Sequence, residues 1–177
     1  MTTATAAGPL VSQAELWDMQ CNFTTELVRL EQRTIYRSDL DVEAMIPWLS
    51  GEPVGAQFAA SPWVGMVRDH VAAGRTIGRV RIFADSPTPY QQWERACSEP
   101  MVVAGEDQRY ISRSQADAIG VTEDAGDWWI FDRATMVEYH FDSDHRWLAE
   151  LVSDSERIEQ ALAAWAIIHS AALPHQY

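Results

Sequence analysis

The chain has no lysine. All thirteen of its basic residues are arginine, set against twenty-six Asp and Glu, for a formal net charge of -13. Binding to nucleic acid needs concentrated positive charge to displace counterions from the phosphates, so this balance argues against direct contact with DNA or RNA. A small ligand or a basic protein surface is compatible with it. Cysteine is scarce too: Cys21 and Cys97 stand far apart and outside any CxxC pair, as expected of ordinary reduced thiols. The five histidines show no HxH or HExxH spacing, and there is no GxSxG elbow or clustered glycine loop. No metal, bound cofactor or serine nucleophile is therefore expected. No apolar run is long enough to cross a bilayer, and the opening residues lack the basic and apolar regions of a signal peptide. The expectation is a cytoplasmic protein that does not engage a membrane.

What is present is a chain of 177 residues with enough apolar content to bury one sizeable core. Residues 1–12 are small and uncharged and are expected to form a disordered tail ahead of a single α/β domain over 13–177. From Glu26 the run ELVRLEQRTIY alternates apolar and charged residues and reads as a strand, with a frayed helix as the alternative. VEAMIPWLSG reads as a helix that Pro47 shortens or kinks. Ser61 followed by Pro62 marks a stronger helix start, and WVGMVRDHVAAG runs from it to Gly74. IGRVRIFAD follows as a buried strand, PTPYQQWERACS as a helix with Tyr90, Trp93 and Cys97 packed on the sheet, and QRYISRS as a second strand. Turns are expected at 104–107 and an acidic loop at 120–126. DWWIFD with TMVEYHFD, and HRWLAELVS, supply the remaining strands, with a turn over 142–145. The clearest helix starts at Ser153 or Asp154, carries Ile158, Ala161, Leu162, Trp165 and Ile168 as its apolar stripe, and stops at Pro174.

In an open α/β sheet, ligands bind where side chains and loop amides converge at the carboxyl ends of the strands. That rule nominates Asp85 and Tyr90 after the first of these strands, Arg113 after the second, and Asp132 and Arg133 after the third. Asp85 and Asp132 equally suit turns in which the side chain holds its own backbone. Glu106, Asp107 and Arg109 read either as charged groups lining a cleft or as a structural ion pair with Arg79 or Arg81. His140, with Asp142 or Glu138, is an acid and base candidate, or else a strand-edge histidine in water. Eight tryptophans exceed what a core of this size needs. Trp128 and Trp129 alternate across a strand, so one faces the core and the other the opposite side, to stack on a ligand or partner or to lie under a helix. The candidates for chemistry are thus Asp132, Glu106 and His140. Those for ligand binding are Asp85, Tyr90, Arg109, Arg113, Trp128 and Trp129.

The segments LVRLEQRTIY, PWLSGEP, GRVRIF, PYQQWE, AGEDQRYISR, DWWIFD and AWAIIHSAALPHQY are together similar to an actinomycete family of domains of unknown function, commonly encoded beside helix-turn-helix regulators. The resemblance spans about residues 23–177. The element order over 78–152, with the WWIFD strand, also resembles one half of a phospholipase-D-like sheet. Such domains carry His-x-Lys-x-x-x-x-Asp on a strand that turns straight back. With Asp132 in the aspartate position, Ala125 stands in place of the histidine nucleophile and Asp127 in place of the lysine. The resemblance therefore implies an α/β (α+β) fold with a mixed sheet flanked by helices and an emptied phosphodiesterase site. It implies a non-catalytic regulatory accessory protein that binds a protein partner, a helix-turn-helix regulator, and a small effector. Because paired phospholipase-D halves sit face to face, a homodimer is compatible with it. The alternative is a cofactor-free biosynthetic isomerase, cyclase or hydrolase that reuses the pocket with carboxylates and tryptophan faces.

Overall fold

Alternation of apolar and charged residues in ELVRLE and TIGRVRIF turns every second side chain to the same side of a strand. In the computed structural model both segments are central strands of a mixed sheet, and the described residues are 8–36, 39–53, 56–142 and 146–176. The elements run in chain order β1 (Leu10–Val11), α1 (Gln13–Asn22), β2 (Glu26–Glu31), α2 (Asp39–Leu49), α3 (Ala56–Ala59), α4 (Pro62–Ala72), β3 (Thr76–Phe83), α5 (Pro89–Cys97) and α6 (Glu99–Ala104). They continue with β4 (Asp107–Ser112), α7 (Arg113–Ala118), β5 (Asp127–Phe131), β6 (Thr135–Phe141), β7 (Trp147–Val152), α8 (Ser155–Ala171) and β8 (Leu173–Pro174). The strand order is β1-β7-β6-β5-β2-β3-β4-β8. β2, β3 and β4 are parallel to one another, whereas β5 lies antiparallel to β2 and begins the β5-β6-β7 meander.

The start signals act as their chemistry requires. Ser61 caps α4 through the Val64 N–H, with Pro62 in the first turn, and Thr88 forms a reciprocal capping box with Gln91 at the head of α5. Pro47 sits in the last turn of α2. Four helices go beyond the sequence expectation, the four-residue α3 among them. α1 and α7 begin at capping boxes, Ser12 with Glu15 and Ser112 with Gln115, while α6 is a six-residue turn of helix closed by Gly105 at φ 110°. α6 and α7, at six residues each, carry too few turns for a periodic apolar stripe to stand out. The expected tail is also shorter than read. Residues 1–7 lie outside the described residues, but Leu10–Val11 pairs with β7 and Ser12 caps α1. After α8, Leu173–Pro174 adds to β4 as an edge strand, a place where proline costs no ladder bond. Of the expected turn over 142–145, residues 143–145, His145 among them, lie outside the described residues.

Each face of the sheet has its own core. On one side Val28, Leu30, Val80, Ile82, Trp128 and Ile130 meet Ile158, Ala161, Trp165 and Ile168 of α8. Gly78 permits this approach, because a Cβ there would come within 3.0 Å of the Trp165 ring. On the other side Leu27, Ile77, Trp129, Phe131 and Val137 meet Leu16 of α1 and Val64, Met66 and Val67 of α4. α5 adds a satellite cluster of Tyr90, Trp93 and Cys97, against which Met45, Trp48 and Phe58 pack.

The β5-β6 hairpin turns through Asp132 and Arg133, both left-handed at φ 52° and 59°. Aspartate tolerates that region, and here its carboxylate accepts the backbone N–H groups of Thr24, Thr25 and Glu26 and both threonine hydroxyls. Burial opposes ionisation, but the donors from Thr24, Thr25 and Glu26 outweigh it and hold the carboxyl well below the usual carboxylate range. Asp132 thus ties the hairpin to the entrance of β2. Asp132→Ala is expected to destabilise the fold by about 1–2 kcal/mol, the cost of losing a cap-like acceptor, read as a lower urea midpoint at unchanged slope. The folded pKa is depressed, so the stabilisation is present at neutral pH and is lost only as the pH falls through the folded value.

Candidate functional site

The alternation that buries apolar residues under α8 turns charged ones to the opposite face, beneath α1, α4 and α5. Arg29 and Glu31 come from β2, Arg79 and Arg81 from β3, Gln108 from β4 and Asp127 from β5, and all are buried. β5 runs antiparallel to β2, so its first residue, Asp127, lies beside the end of β2. Arg79 Nε donates to Glu106 Oε1 at 2.7 Å and its Nη1 to Glu31 Oε1 at 2.9 Å. Arg81 Nε lies 2.8 Å from Glu31 Oε2 and 3.7 Å from Glu94 of α5. Its Nη1 donates to Gln108 at 2.7 Å and to Ser98 at 3.0 Å. Trp63 closes the group by donating its indole N–H to Glu106 Oε2 at 2.9 Å.

Arg29 is held differently. Its guanidinium lies over the rings of Tyr139 at 4.3 Å and Trp129 at 5.2 Å, a cation–π arrangement strengthened by burial. Nε reaches Glu31 only at 3.4 Å and Nη2 reaches Asp127 only at 3.7 Å. Nη1 is buried with no hydrogen-bond partner among the described residues. Arg29 lines a cleft of about 560 Å³ between α1 and the sheet, whose walls include Trp17 and Gln20 of α1, Trp129, Tyr139, Trp147 and Glu31. A second cleft, of about 500 Å³, shares the Tyr139 wall and holds Asp127, Gln32, His140 and Phe141. A third, of about 220 Å³, meets the same charges from the α5 side through Glu31, Arg81, Tyr36, Tyr90, Trp93 and Glu94.

The carboxyls of this group are driven apart. Burial penalises the Glu31 charge, but Arg79, Arg81 and Arg29 outweigh it and hold the group well below the usual carboxylate range. Asp127 goes the other way. Its burial outweighs the Arg29 charge and the hydrogen bond from the Tyr36 hydroxyl, and its carboxyl is pushed up to about 6. The Tyr36 hydroxyl is itself raised by burial and by the Asp127 and Glu31 charges. One cluster therefore contains a carboxylate that stays ionised and a carboxyl that titrates near neutrality.

The sequence candidates distribute unevenly around this cluster. Glu106 is in it as the buried partner of Arg79, and Trp129 lines the cleft while Trp128 packs under α8 with its indole N–H on Ala125 O at 3.0 Å. Tyr90 borders the third cleft. His140 borders the second but pairs with Glu150 at 2.7 Å rather than with Asp142 or Glu138. Arg113 binds Gln32 Oε1 at 2.7 Å and Asp117 at 2.8 Å, and Asp85 accepts the Ser114 N–H at 3.0 Å in the loop beneath. Arg109 lies on the α8 face with Asp107 and the His169 carbonyl. Asp132 stays at the opposite end of β2, occupied by backbone donors, because an antiparallel strand carries its carboxyl end away from those of its neighbours. Arg29, Glu31 and Asp127 were not among the candidates. Their signal was the pair of Arg-x-Glu and Arg-x-Arg spacings in strands otherwise built of Val, Leu and Ile.

The chain belongs to a family described as a domain of unknown function (DUF6879), which matches residues 14–177. No curated protein matches it. Among the described residues no group of three or more His, Cys, Asp and Glu side chains is placed to hold a metal ion, and no helix is long and apolar enough to cross a membrane.

Arg79→Met is expected to destabilise the protein by about 3–5 kcal/mol, because Glu106 and Glu31 would be left buried without their main countercharge. Chemical denaturation measures this directly. For Asp127 the sign is the reverse of Asp132. The folded state holds that proton more tightly than the unfolded chain between the ordinary value of 3.8 and about 6, so the group costs stability as the pH rises through that window. Asp127→Asn is expected to match the parent near pH 4 and to exceed it at pH 7 by on the order of 2–3 kcal/mol, measured as the difference between urea unfolding curves across that range.

Proposed function

We propose that this protein is a cytoplasmic ligand-binding accessory domain: the cleft beneath α1 takes a small planar effector without turning it over, and occupancy is passed to a protein partner. The single observation that carries the reading is Arg29, a buried cation in a tryptophan-walled cleft whose Nη1 lacks an acceptor among the described residues. A buried donor without a partner costs about 1–3 kcal/mol, and a ligand acceptor entering the cleft recovers that cost. The volume of about 560 Å³ suits a small molecule, and Trp17 and Trp147 offer ring faces to a flat one.

Three further points support a regulatory role rather than phosphodiester chemistry. Ala125 and Asp127 stand where a phospholipase-D-like site needs histidine and lysine, and no lysine exists anywhere in the chain. Asp132 is committed to backbone donors. A partner such as a helix-turn-helix regulator is basic where this chain, at -13, is acidic, so contact with DNA falls to the partner. A second reading, a cofactor-free acid and base enzyme, draws on Asp127, which titrates near neutrality beside the Tyr36 hydroxyl at the edge of the second cleft.

Ligand-observed saturation-transfer NMR with benzoate, benzamide and indole tests the proposal. At least one probe is expected to receive saturation from the protein, and the effect is expected to disappear in Trp17→Ala, a partly exposed side chain whose loss spares the core. Absence of transfer at millimolar probe, or transfer untouched by that substitution, overturns the cleft as the site. Chemical conversion of a bound probe that is abolished by Asp127→Asn replaces the accessory reading with the enzymatic one.

A further inference from the structure

We infer that residues 32–36, the segment that follows β2, form a gate between the second and third clefts, latched by Asp127 and released when that carboxyl ionises. The segment is irregular and is held in place by side chains. Asp127, at the start of β5, accepts the Gln32 backbone N–H with both carboxyl oxygens at 3.3 Å and the Tyr36 hydroxyl with Oδ1. The Tyr36 hydroxyl in turn accepts the Arg33 N–H at 3.3 Å, so one carboxyl secures both ends of the segment. Lesser ties run from Gln32 Nε2 to Gly126 O at 2.6 Å, from Arg113 Nη1 to Gln32 Oε1 at 2.7 Å and from Thr88 Oγ1 to Thr34 O at 3.1 Å. Tyr36 is the partition itself. Its ring stands 5.7 Å from Phe141, in the second cleft, and 6.4 Å from Tyr90, in the third. Moving the segment aside joins spaces of about 500 and 220 Å³ beside the carboxyl end of β2.

The surroundings of Asp127 set the direction of the response. The residue is 4% exposed. Arg29 and Glu31 face it from β2, the guanidinium at 3.7 Å and the carboxylate as an opposing charge, and Tyr139 lies opposite it on β6. Around the second cleft stand Glu123 from the turn before β5, Arg33 over the Phe141 ring at 4.7 Å, and His140 paired with Glu150. Glu94 of α5 bears on the Tyr36 hydroxyl, while Arg157 and Glu138, near Gly126, pair with each other. Burial opposes the ionised carboxyl, and Arg29 with the Tyr36 and Gln32 donors offsets it only in part, so the closed gate holds the proton up to about 6. Opening removes those donors and admits water, which returns the group toward its ordinary 3.8. The closed form therefore keeps its full advantage below the ordinary value and loses it as the pH rises through the closed one.

Amide hydrogen exchange of Gln32 and Arg33 between pH 5 and pH 7.5, corrected for intrinsic rates, tests the gate on the unmodified chain. The opening constant is expected to rise about tenfold over that range, with both amides exchanging faster than Val80 in the central strand β3. In Asp127→Asn the rise is expected to vanish. In His140→Gln it is expected to persist, which separates the latch from an imidazole in the same cleft, a group that as a class titrates near neutrality. An opening constant that does not change with pH in the parent, or exchange of the two amides only together with Val80, overturns the gate without recourse to any variant. A rise that survives Asp127→Asn, or that disappears in His140→Gln, overturns Asp127 as its latch.

Discussion

Charge buried on one face of the sheet is the constraint around which this protein is built. Arg29, Arg79 and Arg81 leave the central strands for a side that α1, α4 and α5 cover, and three guanidiniums buried at that depth need countercharge. Glu31 alone answers three of them, Glu106 descends from the α6-β4 turn to meet Arg79, and Glu94 faces Arg81 from α5. The helices over this face are thus fixed by more than apolar area. α5 delivers the Glu94 carboxylate to Arg81 and α4 the Trp63 indole N–H to Glu106. On the opposite face α8 packs through apolar side chains, with Trp165 against Gly78, and its charged ties, Arg157 to Glu138 and His169 to Asp107, are only partly buried.

Among the described residues, contacts on the charged face are short in its middle and long at its margin. Arg79 and Arg81 lie in the middle and are held by short hydrogen bonds, whereas Arg29 sits where α1 only partly closes the sheet and is held by ring faces and long contacts. A cation supported in this way keeps its position and retains hydrogen-bonding capacity. At the same margin burial lifts Asp127 toward neutrality, and the Arg29 charge, 3.7 Å away, offsets it only in part. Structural strength and open valence therefore come from one network, and a ligand in the cleft would meet atoms already fixed in place.

Much of this was legible before folding. The Ser61-Pro62 start, the strand GRVRIF, the strand DWWIFD and the C-terminal helix follow from caps and periodicity, and each stands within a residue or two of its expected bounds. The pairing of Glu106 with Arg79 also followed from the tendency of a buried arginine to find a carboxylate. What escaped was short or depended on strand direction. α6 and α7 are too brief to show a stripe, and α1, though capped by Ser12 and Glu15, has little amphipathic contrast. Asp132 was nominated by a rule for parallel strands, yet β5 is antiparallel, and so the aspartate at its start, not the one after its end, reaches the charged face.

The sequence by itself determined an acidic, lysine-free α/β chain, which strands alternate, where several helices begin, and that arginine would have to be neutralised locally. Those properties depend on residues within one or two turns of each other or on composition alone. Only the tertiary structure decided that Arg29, Glu31 and Asp127 share one buried wall, that Trp129 rather than Trp128 faces it, and that α1 leaves a cleft above them. The reason is physical: the side of a strand on which a charge emerges is local, but the order and direction of the strands beside it, and the helix that covers it, are set by contacts between segments about a hundred residues apart.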